Sequence, residues 1–206
     1  MLTRASQWLL LAVAFAALAL GLPQPASAQQ EQAKKTYPER PEMTIDTAAT
    51  YVATVETNKG TFKAELYPAE APVTVNSFVF LANEGFYNGL IFHRVIPGFV
   101  IQGGDPQGTG NGGPGYKLPS EVKDNDLRHV KGALAMADAG LNTAGSQFYV
   151  ALQDLPQLDN RYTVFGKVVE GMDVVENIGS VPTAGRDRPV EPVVIQTITI
   201  SKKEAQ

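Results

Sequence analysis

No cysteine occurs in the 206-residue chain, which excludes disulfides, thiolate nucleophiles and thiolate metal sites. Histidine is nearly as scarce. His93 and His129 are the only two, too few for a histidine-rich zinc site. Basic runs are also missing: 17 Lys and Arg stand against 21 Asp and Glu, a formal net charge of -4. Nothing in that balance calls for nucleic acid or an anionic membrane surface as partner. Long apolar runs are absent save one, Trp8 to Leu22, and it is shorter than the ~20 residues that cross a bilayer.

That run follows a polar start carrying Arg4 and leads through Pro23-Gln24-Pro25 to Ala26-Ser27-Ala28. A positive start, a short apolar stretch and an A-x-A site make residues 1–28 a secretory signal peptide cleaved after Ala28. The competing reading is an uncleaved membrane anchor. Export places the mature protein in a periplasm or outside the cell, touching the membrane only during passage. Residues 29–50 are polar, hold Pro38 and Pro41, and lack apolar periodicity, so they read as a flexible polar tether.

From Tyr51 to Lys203 the pattern becomes that of one folded domain. With 44% hydrophobic residues and no disulfide available, its own core must hold it. Tyr51–Thr57 and Gly60–Leu66 are alternating, β-branched runs split by Asn58-Lys59-Gly60, a hairpin signal. Pro72 in a first turn, apolar Val75, Phe78, Val79 and Ala82, and a stop at Gly85 predict a helix. A second short helix is expected over Gly171–Ile178. Strand-like runs follow at Leu90–Val95, Gly98–Gln102, Ala133–Ala137, Gln147–Leu152, Tyr162–Val168 and Val193–Ile200. Many short strands and two helices predict an all-β barrel or sandwich.

Gly103 to Pro119 is glycine-rich and contains Gly108-Thr109-Gly110-Asn111-Gly112-Gly113, a formal G-x-G-x-x-G match. A dinucleotide site needs a helix N-terminus after that motif. Pro114-Gly115 and Pro119 forbid one, leaving a flexible loop over a barrel mouth.

The chemistry concentrates in Phe92-His93-Arg94-Val95-Ile96-Pro97-Gly98-Phe99-Val100-Ile101-Gln102-Gly103-Gly104-Asp105. Residues two apart on a strand share a face, so Val100 and Gln102 lie together and Arg94 reaches them across the turn. On spacing alone this is a surface arginine beside two core apolar residues. His93, adjacent to Arg94, should face the other way. His129 precedes a strand and is given no role.

This stretch resembles the cyclophilin pattern F-H-R-x-I-x-G-F-x-x-Q-G-G-D. Met136 to Tyr149 (MADAGLNTAGSQFY) is similar to the family's M-A-N-A-G-x-N-x-x-G-S-Q-F-F, and Leu158 to Val168 to its L-D-G-x-x-x-V-F-G-x-V. The three blocks keep their order across nearly the whole domain. The resemblance implies an eight-stranded antiparallel β-barrel capped by two α-helices and peptidyl-prolyl cis-trans isomerase activity. It implies a catalytic Arg94 oriented by the Gln102 amide, and a proline pocket of Phe99, Val100, Tyr149 and Leu158. Ala137, Asp138 and Gln147 would line the channel for the neighbouring substrate backbone, with His93 and Tyr162 at the rim. No cofactor or metal is implied, and the expected partners are proline-containing unfolded or partly folded polypeptides, met by a monomer. The alternative is a proline-peptide binding module or holdase that keeps the barrel without the catalysis.

Four positions depart from the pattern of well-known members: Val100 for a frequent methionine, Tyr149 for phenylalanine, Asp138 for asparagine, and Gln157 where many eukaryotic members carry tryptophan. Tyr149 brings a hydroxyl that needs a partner if buried. Gln157, at the rim where the family binds cyclosporin, puts tight binding of that inhibitor in doubt.

Overall fold

The computed structural model describes residues 35–123 and 126–203. The signal-peptide reading of residues 1–28 and the first part of the tether lie outside the described residues. In chain order the elements are β1 (Thr50–Thr57), β2 (Gly60–Leu66), α1 (Pro72–Asn83), β3 (Arg94–Ile96), β4 (Val100–Gly103), β5 (Ala133–Met136) and β6 (Phe148–Ala151). A 3-10 turn at Pro156–Leu158 precedes β7 (Val164–Glu170) and α2 (Met172–Gly179), followed by the two-residue strands β8 (Thr183–Ala184) and β9 (Arg188–Pro189), and β10 (Ile195–Lys203).

Eight of these strands form one antiparallel sheet in the order β10-β1-β2-β7-β5-β6-β4-β3. The hairpin signal around Asn58-Lys59 is realised as β1 and β2, with Val55 opposite Phe62 and Thr57 opposite Gly60. The two edge strands would leave open ladders, a standing hazard for a sheet. Here the chain just before each edge strand curls the sheet back on itself. Gly89 N–H and Phe92 N–H donate to the carbonyls of Ile195 and Val193, and Ile195 N–H donates to that of Leu90.

The interior side holds the main core. Phe62, Phe78, Tyr87, Phe92, Phe148 and Phe165 are almost fully buried there, and the rings of the last five meet edge to face or tilted, the favoured geometries for aromatic pairs. Helix α1 lies against this core. Its first turn is capped from a distance: both oxygens of the Glu121 carboxylate accept, at 2.9 Å, from the N–H groups of Val73 and Thr74. A carboxylate there satisfies orphan donors and complements the helix dipole.

Residues 35–50, read above as part of a flexible tether, instead pack on the domain. Tyr37 places its ring 5.1 Å from that of Phe80 on α1 and near Phe86 and Tyr116. Its N–H donates to Pro114 O at 2.8 Å. Gly115 must be glycine for this approach, because a Cβ there would meet Tyr37 O at 2.4 Å. Buried Asn76 on α1 gives an amide N–H to Glu42 O and takes the N–H groups of Thr44 and Ile45 on its carbonyl oxygen. The segment lacks periodicity because it is neither helix nor strand. It is held by Tyr37, Ile45 and Ala49 packing on the core, by polar pairing to α1, and by Asp46, which contacts Tyr51 and Lys202.

The glycine-rich stretch is likewise stitched down rather than flexible. The Asp105 carboxylate accepts from the N–H groups of Gln107, Thr109 and Gly110. Gln147 donates its amide to the carbonyls of Gly110 and Gly112, and Arg188 donates to that of Gly108. The far end of the stretch packs inward, with the buried Tyr116 hydroxyl 2.8 Å from Ser77 on α1.

Candidate active site

Alternation along β3, β4, β6 and β5 puts a second, smaller apolar cluster on the outer face of the sheet. Val100, Ala133, Ala135, Tyr149, Ala151, Leu155 and Val164 are buried there under Phe99, Ala137, Leu158 and Tyr162. The ladder fixes the registry: Arg94 lies opposite Gln102, and Gln102 opposite Tyr149. Three side chains distant in sequence therefore share one face.

Above this cluster opens a cavity of about 220 Å³ lined by Arg94, Phe99, Val100, Gln102, Ala137, Asp138, Tyr149, Leu158 and Tyr162. Its floor is apolar and a guanidinium stands at one wall. A second groove of about 230 Å³ shares Gln102, Ala137 and Asp138 with the first and continues past Gln147 to Gly110 and Gly112. Nine of the residues expected from the sequence thus meet at one cavity, and Gln147 lines its extension.

Two expected positions lie elsewhere. His93 is 6% exposed and turned under the glycine-rich stretch, with both ring nitrogens lacking a hydrogen-bond partner. Burial pushes its pKa down, as do Arg188 and Arg94, against an opposing pull from Asp105. It is a packing residue against Gly110, just ahead of β3, and does not line the cavity at whose rim the resemblance put it. Gln157 is exposed on the 3-10 turn and does not line the cavity, although its neighbour Leu158 does.

The orientation of Arg94 also differs from expectation. The Gln102 amide donates to Gln147 Oε1 at 3.0 Å, tying the two grooves together. The group that holds Arg94 is Asp187, whose Oδ2 accepts from Arg94 Nε at 3.3 Å. Asp187 sits 93 residues downstream, in the turn between β8 and β9. That short segment has no apolar pattern and was not legible in the sequence.

His129 proves to be the partner that the Tyr149 hydroxyl requires. It is 2% exposed, its Nε2 lies 2.9 Å from Tyr149 Oη, and its Nδ1 lies 2.9 Å from Asp159 Oδ1. A carboxylate only accepts, so Nδ1 carries the proton of the neutral ring and Nε2 accepts from the tyrosine. Burial lowers the His129 pKa, opposed by Asp159. Burial likewise pushes the Tyr149 hydroxyl well up, so it stays protonated and donating. Burial raises the Asp138 carboxyl too, partly offset by the Gly140 N–H that it accepts.

Among the described residues no three His, Asp or Glu side chains are grouped to hold a metal ion.

Comparison with known proteins points to one family. The family model described as cyclophilin type peptidyl-prolyl cis-trans isomerase/CLD matches residues 52–200. A peptidyl-prolyl cis-trans isomerase of Helicobacter pylori is 51% identical over 146 residues, covering 70% of this chain and 88% of that protein. The peptidyl-prolyl cis-trans isomerase A of Mycobacterium tuberculosis is 46% identical over 170 residues, covering 74% and 93%. A crystal structure of a Cryptosporidium parvum cyclophilin type isomerase superposes with a TM-score of 0.71 at 34% identity, covering 75% of this chain and 99% of that one. A second structure of that protein, determined in the presence of the dipeptide Ala-Pro, gives a TM-score of 0.70 at 36% identity. With the eight-stranded antiparallel sheet, its two helices and the family match over residues 52–200, this chain belongs to the cyclophilin-type peptidyl-prolyl cis-trans isomerases.

Proposed function

We propose that this enzyme speeds rotation about X-Pro bonds in exported polypeptides, with Arg94 acting on the twisted prolyl amide. Amide resonance gives the bond a rotation barrier of ~18–20 kcal/mol, so free X-Pro bonds exchange in tens to hundreds of seconds. In the twisted state the resonance is broken, and the prolyl nitrogen regains a lone pair that neither planar isomer offers. A guanidinium aimed at that nitrogen stabilises the twisted state alone, which is what lowers a barrier. Arginine suits the task because it carries five donors, no acceptor, and a charge that does not titrate near neutrality. No bond is made or broken, so the step needs no nucleophile.

The observation that carries this reading is the placement of Arg94 at the wall of an apolar cavity with Phe99, Val100, Tyr149 and Leu158. The proline ring would enter the cavity. The preceding substrate residues would run along the groove past Ala137, Asp138 and Gln147, where the Asp138 backbone N–H would meet a substrate carbonyl. An Ala-Pro peptide studied by magnetisation-transfer NMR tests catalysis against mere capture: cis and trans signals exchange on addition of the enzyme. Binding without exchange would leave a holdase.

The exported role rests on residues 1–28, with their positive start, short apolar run and Ala26-Ser27-Ala28. Its check is the N-terminus of the protein recovered from the producing cell, expected at Gln29, in the periplasm or medium. A protein that keeps Met1 and stays in the cytoplasm would refute export.

A further inference from the structure

Asp187 stands where no substrate-lining role reaches it, yet it touches the one side chain on which the proposed mechanism depends. Its Oδ2 accepts from Arg94 Nε at 3.3 Å, and both side chains are nearly half exposed, at 43% and 47%. A pair that open to water contributes little to stability. What it does fix is direction. Of the five guanidinium donors the Nε–H is the single one on the stem side. Anchoring the group by that N–H sets the guanidinium plane and leaves both terminal nitrogens free to point into the cavity.

The turn that carries Asp187 is shaped for this. Arg186 and Asp187 have φ of 64° and 59°, consecutive non-glycine residues in the left-handed region. Asp tolerates that region better than most residues and Arg does not, so the surroundings must impose the conformation. They do so from two sides. Thr183 and Ala184 pair with Pro189 and Arg188, and the Arg188 guanidinium donates to Gly108 O at 2.6 Å on the stretch beside the site. The turn is thus clamped to the same loop that Gln147 clamps, and its carboxylate is delivered to Arg94 ready placed.

We infer that Asp187 is a positioning residue for isomerisation, holding the Arg94 guanidinium in the orientation that meets the prolyl nitrogen. This rests on the proposed role of Arg94. Asp187→Gly removes the carboxylate and suits the left-handed backbone, whereas Asp187→Asn keeps an acceptor and the same shape. On Asp187→Gly, kcat is expected to fall roughly 5- to 50-fold, as misplacing a catalytic group can do, with KM within about twofold. Asp187→Asn should recover part of that loss, and the thermal midpoint of neither variant should move. In an Arg94→Ala background Asp187→Gly should have no further effect on kcat. A kcat within twofold of native for Asp187→Gly, or an equal loss with and without Arg94, overturns the inference. An Arg94→Ala protein with native rate would overturn the proposed mechanism itself. Loss on Arg94→Ala without loss on Asp187→Gly overturns only the role of Asp187.

Discussion

The hydroxyl that separates Tyr149 from phenylalanine is tied to His129 and through it to Asp159, so it faces away from the cavity. Tyr149→Phe should therefore leave kcat/KM within about threefold of native, because the ring face toward the cavity is kept. It should cost ~1–3 kcal/mol of stability, the usual toll for leaving a buried polar atom, here His129 Nε2, without its partner. Parallel urea titrations and peptide assays check both halves. An unchanged midpoint together with lost activity would mean that the hydroxyl serves the substrate. The same two histidines set the response to acid. Both have folded pKa values below the unfolded 6.5, chiefly through burial. Below 6.5 the unfolded chain binds protons that the folded one refuses, so stability falls as pH drops from about 6.5. Asp105 and Asp159 act lower. Burial alone would raise their pKa values, but the hydrogen bonds they accept hold them below 3.8. Unfolding midpoints at pH 7.5, 6.5 and 5.5 should decline in that order; a rise toward pH 5.5 would contradict the neutral-histidine assignment.

At the scale of elements, the instructive case is α1 and its covering segment. Thr74, Asn76 and Ser77 on α1 are polar, yet all three are buried. Asn76 is paired with residues 42–45 and Ser77 with the Tyr116 hydroxyl at 2.8 Å. A chain beginning at Tyr51 would strand the Asn76 amide and uncover Phe80 and Phe86. It should lose at least about 3 kcal/mol of stability, several unsatisfied or uncovered groups at ~1–3 kcal/mol each. A chain beginning at residue 35 should melt like the full mature protein. Equal melting of the two shortened chains would show that the covering segment contributes nothing. The polar composition of residues 35–50 concealed this, because a segment that pairs with a helix through single hydrogen bonds has no period to read. Tyr37 was the available sign: a large aromatic ring in a polar stretch usually has somewhere to go.

Across the whole molecule, what was legible in the sequence was what repeats or matches a long pattern. The β1–β2 hairpin, both helices and the eight strands of the main sheet came from alternation and punctuation, within a few residues, whereas the two-residue strands β8 and β9 were not expected. The site face also followed, since strand period two predicted that Arg94, Val100 and Gln102 meet and that His93 turns away. Pairings between segments far apart in sequence and lacking any period were not legible. Asp187 reaches Arg94, Glu121 caps α1, and the chain before β3 closes against the chain before β10 only through the completed fold. The measurement that tests the account most directly is the isomerisation rate of Arg94→Ala on an Ala-Pro peptide, with folding verified by circular dichroism. Removal of one transition-state donor of this kind costs on the order of 10²–10³ in rate. The account predicts a folded protein with kcat/KM reduced by about that factor; a folded protein retaining more than half the native kcat/KM would contradict it.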